Sequence, residues 1–409
     1  MASTPPSLTL SGPVDVLAAV PYLIGFHPTR SLVVLGLSGA HPHPHGQARL
    51  TLRWDLPLSP DALDGYVPIL FNERITHVIA IGYGPGPLVT PAVDRIRSLS
   101  HGADIFVAEA LRTEGGRYWS YICQATTCCP ADGTPYDVAT SQIPAMATLH
   151  GMVALPDRAA LEESVTPLGG AVRKAMRKAT RRAMTNMIGR FQSCRDADGL
   201  ASEVVTDGIA RVHAAVEAYR SGGRLSDDDA ARLGLALAVI RVRDEAWTSM
   251  GADGLRAHLA LWHDLVRRAE PRFLPPVASL LALAAWRSGD CALADLALRR
   301  ALAADPGYSM AVLLSQALNH MLPPDRLDDR IPRPADLDQA MGRPHMSWLL
   351  PLLALVDDQG GDAPSMPTAG PAGTTVRAAA PAEATASSDR DPPAPAGRSR
   401  EREPDVDAP

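Results

Sequence analysis

The sequence predicts an α/β N-terminal domain, an all-α helical domain and a disordered C-terminal tail. Strand-like and helix-like stretches alternate over residues 7–155, which is typical of a layered α/β domain. Residues 156–322 carry helical patterns almost throughout. Residues 359–409 contain no aromatic side chain and consist mainly of small, Pro and charged residues, too polar to offset chain entropy on folding. Residues 323–358 are predicted to be a polar linker followed by a short apolar helix.

The α/β domain begins with a predicted helix over PVDVLAAVPYLIGF, with Ser11 as its N-cap and Pro13 in the first turn. Apolar or alternating runs predict strands at 31–37, 48–56 and 77–84. Helices are predicted at 61–75 and 91–102, the second with Thr90 as N-cap and Pro91 as its first residue. Residues 104–123 predict a hairpin that turns at Gly115-Gly116.

The helical domain is predicted as a series of helices separated by short Gly- or Pro-containing breaks. Ser226 followed by Asp229 indicates an N-cap with an acidic first turn. The predicted helices are Ala160–Ser164, Gly170–Phe191, Leu200–Tyr219, Asp228–Met250, Gly254–Arg268, Pro276–Arg287, Ala292–Ala303 and Ser309–Leu322.

Charge and hydropathy indicate a cytoplasmic protein without a membrane partner. The net charge of −6 gives no global basic field that would attract nucleic acid or anionic lipid. The first positive charge is Arg30, so the basic region of a signal peptide is missing, and no stretch reaches the ~18 apolar residues of a membrane helix. Reduced thiols are therefore expected.

The stretch YICQATTCCPADGTPY places Cys123, Cys128 and Cys129 within seven residues. Thiolates are good zinc ligands, but the spacing is not the familiar C-x2-C, and a fourth ligand such as His150 would have to come from elsewhere. A redox pair formed by Cys123 and Cys128 is an alternative. The third interpretation is structural: small buried residues that close a turn shaped by Pro130 and Gly133.

Two further motifs are better explained as a loop and a turn than as binding sites. The run HPHPH (41–45) lies in a predicted loop, where its imidazoles suit adventitious nickel or zinc. The run GYGPG (82–86) lies between a strand and a helix, where glycines allow an anion to approach the backbone. It lacks the third glycine of the dinucleotide fingerprint, and Pro85 and Pro87 remove N–H donors, so a plain βα turn is the preferred interpretation over a phosphate-binding loop.

The segment Gly170–Arg190 is strongly basic and contains no acid. On a helix its cations form a broad positive stripe opposite an apolar face. This stripe is predicted either to be a solvated or internally paired face, or to bind an acidic protein surface or a nucleic-acid backbone. The candidate anion-binding residues are Arg173, Lys174, Arg177, Lys178, Arg181 and Arg182.

Three residues at predicted strand ends are candidates for catalysis or ligand binding. His27 and Arg30 precede the first strand, and Asp55 ends the second. Open α/β sheets bind ligands at strand ends, so a shared site is possible there. The alternative is that His27 and Asp55 only cap or shape turns.

The string TLSGPVDVLAAVPYLIGFHPTRSLVVLGL, followed by RLTLRWDLP and CCPADGTP, resembles an actinobacterial family catalogued as domain of unknown function 4192. The resemblance covers most of Ser7 to Leu322, and GFHPTRSLVV is its most specific part. It implies a fold shared across the family and supplies no activity. AAWRSGDCALADLALRRALAADPGY also resembles half of a tetratricopeptide repeat, so the helical domain is expected to be partly tetratricopeptide-like, although any Ala-rich antiparallel helix pair looks similar.

Together these patterns predict a binding or adaptor module whose helical domain contacts a protein partner, aided by the basic helix. One alternative is an enzyme or small-ligand sensor with its site in the α/β domain. The other is a nucleic-acid-associated regulator that uses residues 170–190. The sequence identifies no cofactor, substrate or oligomeric state, and whether the protein is an enzyme stays open.

Overall fold

The computed structural model describes residues 10–38, 47–150, 152–320, 322, 324 and 332–357. The HPHPH run and the predicted tail at 359–409 lie outside these residues, as does part of the predicted linker. The N-terminal half contains the predicted sheet region. Its elements are α1 (Pro13–Ile24), β1 (Ser31–Ser38), β2 (Gln47–Asp55), α2 (Tyr66–Asn72), β3 (His77–Tyr83), α3 (Gly86–Gly102), β4 (Phe106–Glu114), β5 (Arg117–Ser120), β6 (Thr134–Pro135) and α4 (Ile143–Leu149).

The six strands form one mixed sheet in the order β2-β1-β3-β4-β5-β6. Only β3 and β4 are parallel, and the other neighbours are antiparallel. The start of β1 therefore lies at the same sheet edge as the ends of β2, β3 and β4. The β4–β5 hairpin turns at Gly115 and Gly116, both with positive φ (58° and 75°), which confirms the predicted hairpin.

Both faces of the sheet are covered because alternate residues of each strand point to opposite sides. Leu32 and Val34 of β1 belong to a core shared with α2 and α3. Val33 and Leu35 belong to a second core that includes α1 and continues into the helices of the C-terminal half. A backbone bridge between Phe26 and Leu155 also joins the two halves of the chain.

The second half is helical, as predicted. Its elements are α5 (Arg158–Ser164), α6 (Gly170–Ser193), α7 (Ala197–Arg220), α8 (Asp227–Ala236), α9 (Ile240–Thr248), α10 (Leu255–Arg268), α11 (Leu274–Arg287), α12 (Cys291–Ala304), α13 (Ser309–Asn319), α14 (Pro334–Met341) and α15 (Leu350–Asp357). None of the helices in the described ranges is long and apolar enough to cross a membrane.

The α11–α12 pair has the features expected of a tetratricopeptide-like hairpin. Gly289 turns the chain with a φ of 87°, and the Asp290 carboxylate accepts the Leu293 N–H at the start of α12. Ala294 and Ala301 are fully buried, so the small side chains allow the helices to pack closely. The predicted cap of α8 is also confirmed, because the Ser226 hydroxyl accepts the Asp229 N–H at 3.1 Å.

Some predicted helix ends were wrong. The N-cap of α1 is Gly12, because the Ser11 N–H donates to the Asp15 carboxylate and the Ser11 side chain does not cap. The helix predicted to start at Pro91 starts at Gly86, because Pro87 takes the first-turn place and Pro91 lies inside α3.

The single helix predicted at Asp228–Met250 is two helices, α8 and α9. The chain is interrupted at Leu237–Val239, where no Gly or Pro breaks the pattern. Leu237 and Val239 are fully buried, and Val239 is extended (ψ 118°). Tertiary packing therefore overrides helix propensity at this point. The short helix α4 was not predicted.

Candidate functional sites

The basic helix α6 presents its cations to solvent and packs only part of its apolar side against the core, because Val172 and Ala175 are exposed. Met176, Ala179 and Ala183 are buried. The predicted cations, which we call the basic face, are all exposed: Arg173, Lys174, Arg177, Lys178, Arg181 and Arg182.

Most of the basic face is not neutralised by neighbouring acids. Arg177 Nε lies 3.8 Å from Glu270 Oε1, and Arg182 Nη2 lies 2.5 Å from Asp228 Oδ1. Within the described residues, the remaining four cations form no ion pair or side-chain hydrogen bond: Arg173, Lys174, Lys178 and Arg181.

Sequence reasoning missed a cavity of about 280 Å³ beside this helix. It lies between α6, α7 and α8, and its lining includes Arg190, Arg211 and Arg232. Arg190 also pairs with Glu203 and Asp207 of α7. The three arginines come from three different helices, so no local pattern in the sequence could predict that they line one cavity.

The cysteine-rich segment leaves β5 and returns at β6 as an anchored loop, which we call the cysteine loop (residues 121–133). The Cys123 N–H donates to Ser120 Oγ at 3.0 Å, and the N–H groups of Cys128 and Cys129 both donate to the Ala125 carbonyl.

The far end of the cysteine loop is held by Trp119 of β5. Its indole N–H donates to the Ala131 carbonyl, and its ring packs so closely on Gly133 that a Cβ there would lie 2.5 Å from a ring carbon. Gly133 has a φ of 83°, which also requires glycine. The cysteine loop is therefore held at both ends by contacts with Ser120 and Trp119 of β5.

The cysteine loop brings the three thiols together. Cys123 Sγ lies 3.1 Å from Cys128 Sγ, which lies 3.8 Å from Cys129 Sγ, and all three atoms lie within 4.8 Å of one another. Cys128 is exposed and the other two are half-buried.

Hydrogen bonds from Cys128 and Cys129 lower the pKa of the Cys123 thiol. The bond to Cys123 in turn raises the pKa of Cys128, and it raises that of Cys129 to about 12. A first thiolate is therefore stabilised at Cys123. His150 is exposed, its Nδ1–H donates to the Met146 carbonyl, and it is not part of this sulfur group.

The strand-end candidates share one sheet edge. The Leu56 N–H donates to the Arg30 carbonyl, and Asp55 is registered opposite Ser31. Arg30 adopts a left-handed backbone conformation (φ 44°), and the side chains of His27 and Arg30 are exposed. Among the described residues, no hydrogen bond or ion pair joins these side chains to Asp55.

Asp55 is instead held by two arginines. Its carboxylate pairs with Arg53 of the same strand and, at 2.8 Å, with Arg158 of α5. Asp55 therefore links strand β2 to helix α5 at this position.

Two polar atoms on the same face of the sheet are buried without a partner in the described part of the chain: Arg53 Nε and the Tyr83 hydroxyl. The Arg53 guanidinium also lies 5.2 Å from the centroid of the Phe26 ring. Burial raises the pKa of Tyr83 well above its ordinary value, with the nearby Tyr136 adding to the effect. The sequence did not mark either residue as functional, because a polar or aromatic side chain at these positions is ordinary in a β-strand.

The GYGPG run forms a plain βα turn in the structure. A Cβ at Gly82 would lie 2.0 Å from Val89 Cγ1, so this glycine permits helix α3 to pack against β3. Pro85 is the N-cap of α3 and has no N–H to offer an anion. The glycines are thus explained by packing.

Comparison with known proteins identifies one family and no characterised relative. The family model described as "Domain of unknown function (DUF4192)" matches residues 13–325. No curated protein and no solved structure matches the chain. The match spans more than half of the chain and includes the sheet, the cysteine loop and the helices through α13. The chain therefore belongs to the family of proteins with domain of unknown function 4192.

Proposed function

We propose that this protein is a binding module and that the basic face of α6 recognises an acidic segment of a protein partner. The observation that carries the proposal is the exposure of six neighbouring cations, four of which have no acidic partner within the described residues. A solvated face normally mixes both charge signs, whereas Gly170–Ser193 contains no acid at all.

The arrangement is costly for the helix itself. Arg173, Arg177 and Arg181 are spaced by four residues, as are Lys174, Lys178 and Arg182. Each like-charged i,i+4 pair destabilises a helix by about 0.2–0.5 kcal/mol. Cations near the start of the helix also oppose its macrodipole. An acidic ligand would relieve both effects, so its binding would stabilise α6.

The surroundings of the basic face favour an acidic protein segment over nucleic acid. Asp228 and Glu270 flank the face through their pairs with Arg182 and Arg177. The net charge of the chain is −6, so a duplex approaching a strip one helix wide would meet repulsion on both sides. An acidic helix or strand would cover only this strip, and the exposed Ala171 and Ala175 leave room for its close approach.

The proposal can be tested by fluorescence anisotropy with a labelled Glu/Asp-rich peptide and a DNA duplex as the two probes. Arg177→Glu combined with Arg181→Glu is expected to weaken peptide binding at least about tenfold, that is by about 1.4 kcal/mol. The matched control is Arg195→Glu with Arg256→Glu, which makes the same change in net charge at exposed positions elsewhere. Affinity should also fall with added salt.

Two results would contradict this proposal. Equal peptide affinity of the wild type and the Arg177/Arg181 variant would remove the basic face as the recognition surface. Tighter binding of the duplex than of the peptide, lost in the same variant, would favour the nucleic-acid-associated regulator.

We further propose that the protein acts in the cytoplasm. Its five cysteines are free thiols, including the pair at 3.1 Å, which supports a reducing compartment. Mass spectrometry of protein from the native host, alkylated in denaturant with a chelator and without reductant, would test this, with five modified cysteines expected.

A further inference from the structure

We propose that Cys123, Cys128 and Cys129 form a three-thiolate binding site for Zn²⁺. The three Sγ atoms lie within 4.8 Å of one another on an anchored loop. Zn–S bonds of about 2.3 Å at tetrahedral angles place sulfur atoms about 3.8 Å apart. The Cys128–Cys129 distance of 3.8 Å already has this value, and the Cys123–Cys128 distance of 3.1 Å must open only slightly.

The backbone explains how adjacent cysteines can bind one ion. The N–H groups of Cys128 and Cys129 both donate to the Ala125 carbonyl, so the chain makes a tight turn at this pair. This turn directs both sulfur atoms towards Cys123 rather than to opposite sides of an extended chain. The unusual spacing that argued against zinc in the sequence is therefore compatible with a common ligand set.

A metal site accounts for all three thiols, whereas a disulfide accounts for two. A Cys123–Cys128 disulfide would require a sulfur–sulfur distance of about 2.05 Å and would leave Cys129 unused beside it. Soft thiolate ligands select Zn²⁺ or Cu⁺ over the hard cations. We assign Zn²⁺ because a tetrahedral ion held by three thiolates keeps a fourth position, which suits a sulfur group that has no further ligand among the described residues.

The site is open on one side. Within the described residues, no His, Asp, Glu or further Cys joins the three sulfur atoms at metal-ligating distance. Cys128 is exposed, so an ion can enter from solvent. The fourth position would be filled by water or by an external ligand, as in zinc sites that retain an exchangeable position. The inference is independent of the basic face, which lies on a different element.

The test is a Co²⁺ titration of the full-length, untagged, chelator-treated protein under anaerobic reducing conditions. We expect one Co²⁺ per chain, a thiolate-to-cobalt charge-transfer band, and loss of that band when one equivalent of Zn²⁺ is added. Cys128→Ser and, as a second variant, Cys129→Ser should each abolish the band and weaken Zn²⁺ binding by more than the about 10- to 100-fold typical of losing an outer-shell contact. Cys194→Ser and Cys291→Ser are the matched controls and should retain it.

Far-UV circular dichroism of each variant establishes that it is folded. Absence of the band from the folded wild type would overturn the proposal, as would a band that persists in both cluster variants. Binding of Cu⁺ without Zn²⁺ or Co²⁺ would overturn the assignment of the metal. A Cys123–Cys128 disulfide in protein isolated from a reducing host, with no metal bound after reduction, would favour the redox pair.

Discussion

The unfolding free energy of this protein should fall between pH 7 and pH 5 because His258 is buried as a neutral imidazole. His258 lies in α10 and is 1% exposed. Its Nδ1 accepts the indole N–H of Trp262 at 3.2 Å, so protonation at this atom would break that bond. Burial lowers the pKa of His258 to about 4, the Ser249 carbonyl opposes this shift, and the positive charges of Arg220 and Arg287 add to it.

The sign follows from proton binding. The unfolded chain takes up a proton near pH 6.5 and the folded chain only near pH 4, so the unfolded state binds more protons between these values. The stabilisation is complete above pH 6.5 and is lost as the pH falls towards 4. From these two pKa values the loss between pH 7 and pH 5 is about 1.8 kcal/mol for this residue alone.

Urea unfolding at both pH values, followed by far-UV circular dichroism, would measure the effect. His258→Gln should show a pH-dependent loss smaller than that of the wild type by about 1.8 kcal/mol. His101→Gln, at an exposed position, is the control and should behave like the wild type. Comparison with the variant cancels His263, whose pKa burial also lowers. If His258→Gln and the wild type lose the same free energy, the argument for a buried neutral imidazole fails.

Two further changes in unfolding free energy can be measured by the same urea titration. Gly82→Ala should cost about 1–3 kcal/mol, because its Cβ would lie 2.0 Å from a methyl carbon of α3; Gly102→Ala, with open space around it, should cost less than about 0.5 kcal/mol. Glu245→Ala should cost about 2–3 kcal/mol, because it removes one of the two carboxylates that pair with the buried Arg241 guanidinium and leaves Asp338 as the other. Asp295→Ala removes an exposed pair and should change stability by less than about 1 kcal/mol. Equal losses of stability for the two glycine variants would contradict the packing argument. Equal losses for the Glu245 and Asp295 variants would contradict the charge argument.

Much of the fold could be predicted because local patterns and tertiary packing agree. The strand at Ser31–Ser38 is a continuous apolar run that the structure buries on both faces. The turn at Gly115-Gly116 needs two positive φ values, which these two residues adopt without steric cost. The break between α8 and α9 could not be predicted, because burial of Leu237 and Val239 causes it and no local breaker marks it.

The candidate sites show the same division. Helical spacing was enough to predict one basic face on α6, but which cations are neutralised depends on Asp228 and Glu270, distant in sequence. The three cysteines were visible as a cluster. Their convergence was not, because it depends on the turn at Ala125 and on the anchoring of the loop by Trp119. The sequence spacing of the three cysteines, taken alone, argued against their binding one metal ion.

The core that runs from the sheet into the helices has a consequence for how such a chain can be altered. Val33, Leu35 and Ile81 belong to the same cluster as residues of α6 to α12, and Leu155 pairs with Phe26 where the two halves meet. Cleavage or gene truncation near residue 155 would expose this apolar surface on both fragments. Exposed surfaces of this kind promote aggregation. Recombination could therefore exchange the whole family domain between proteins, but not one half of it without a compensating apolar face.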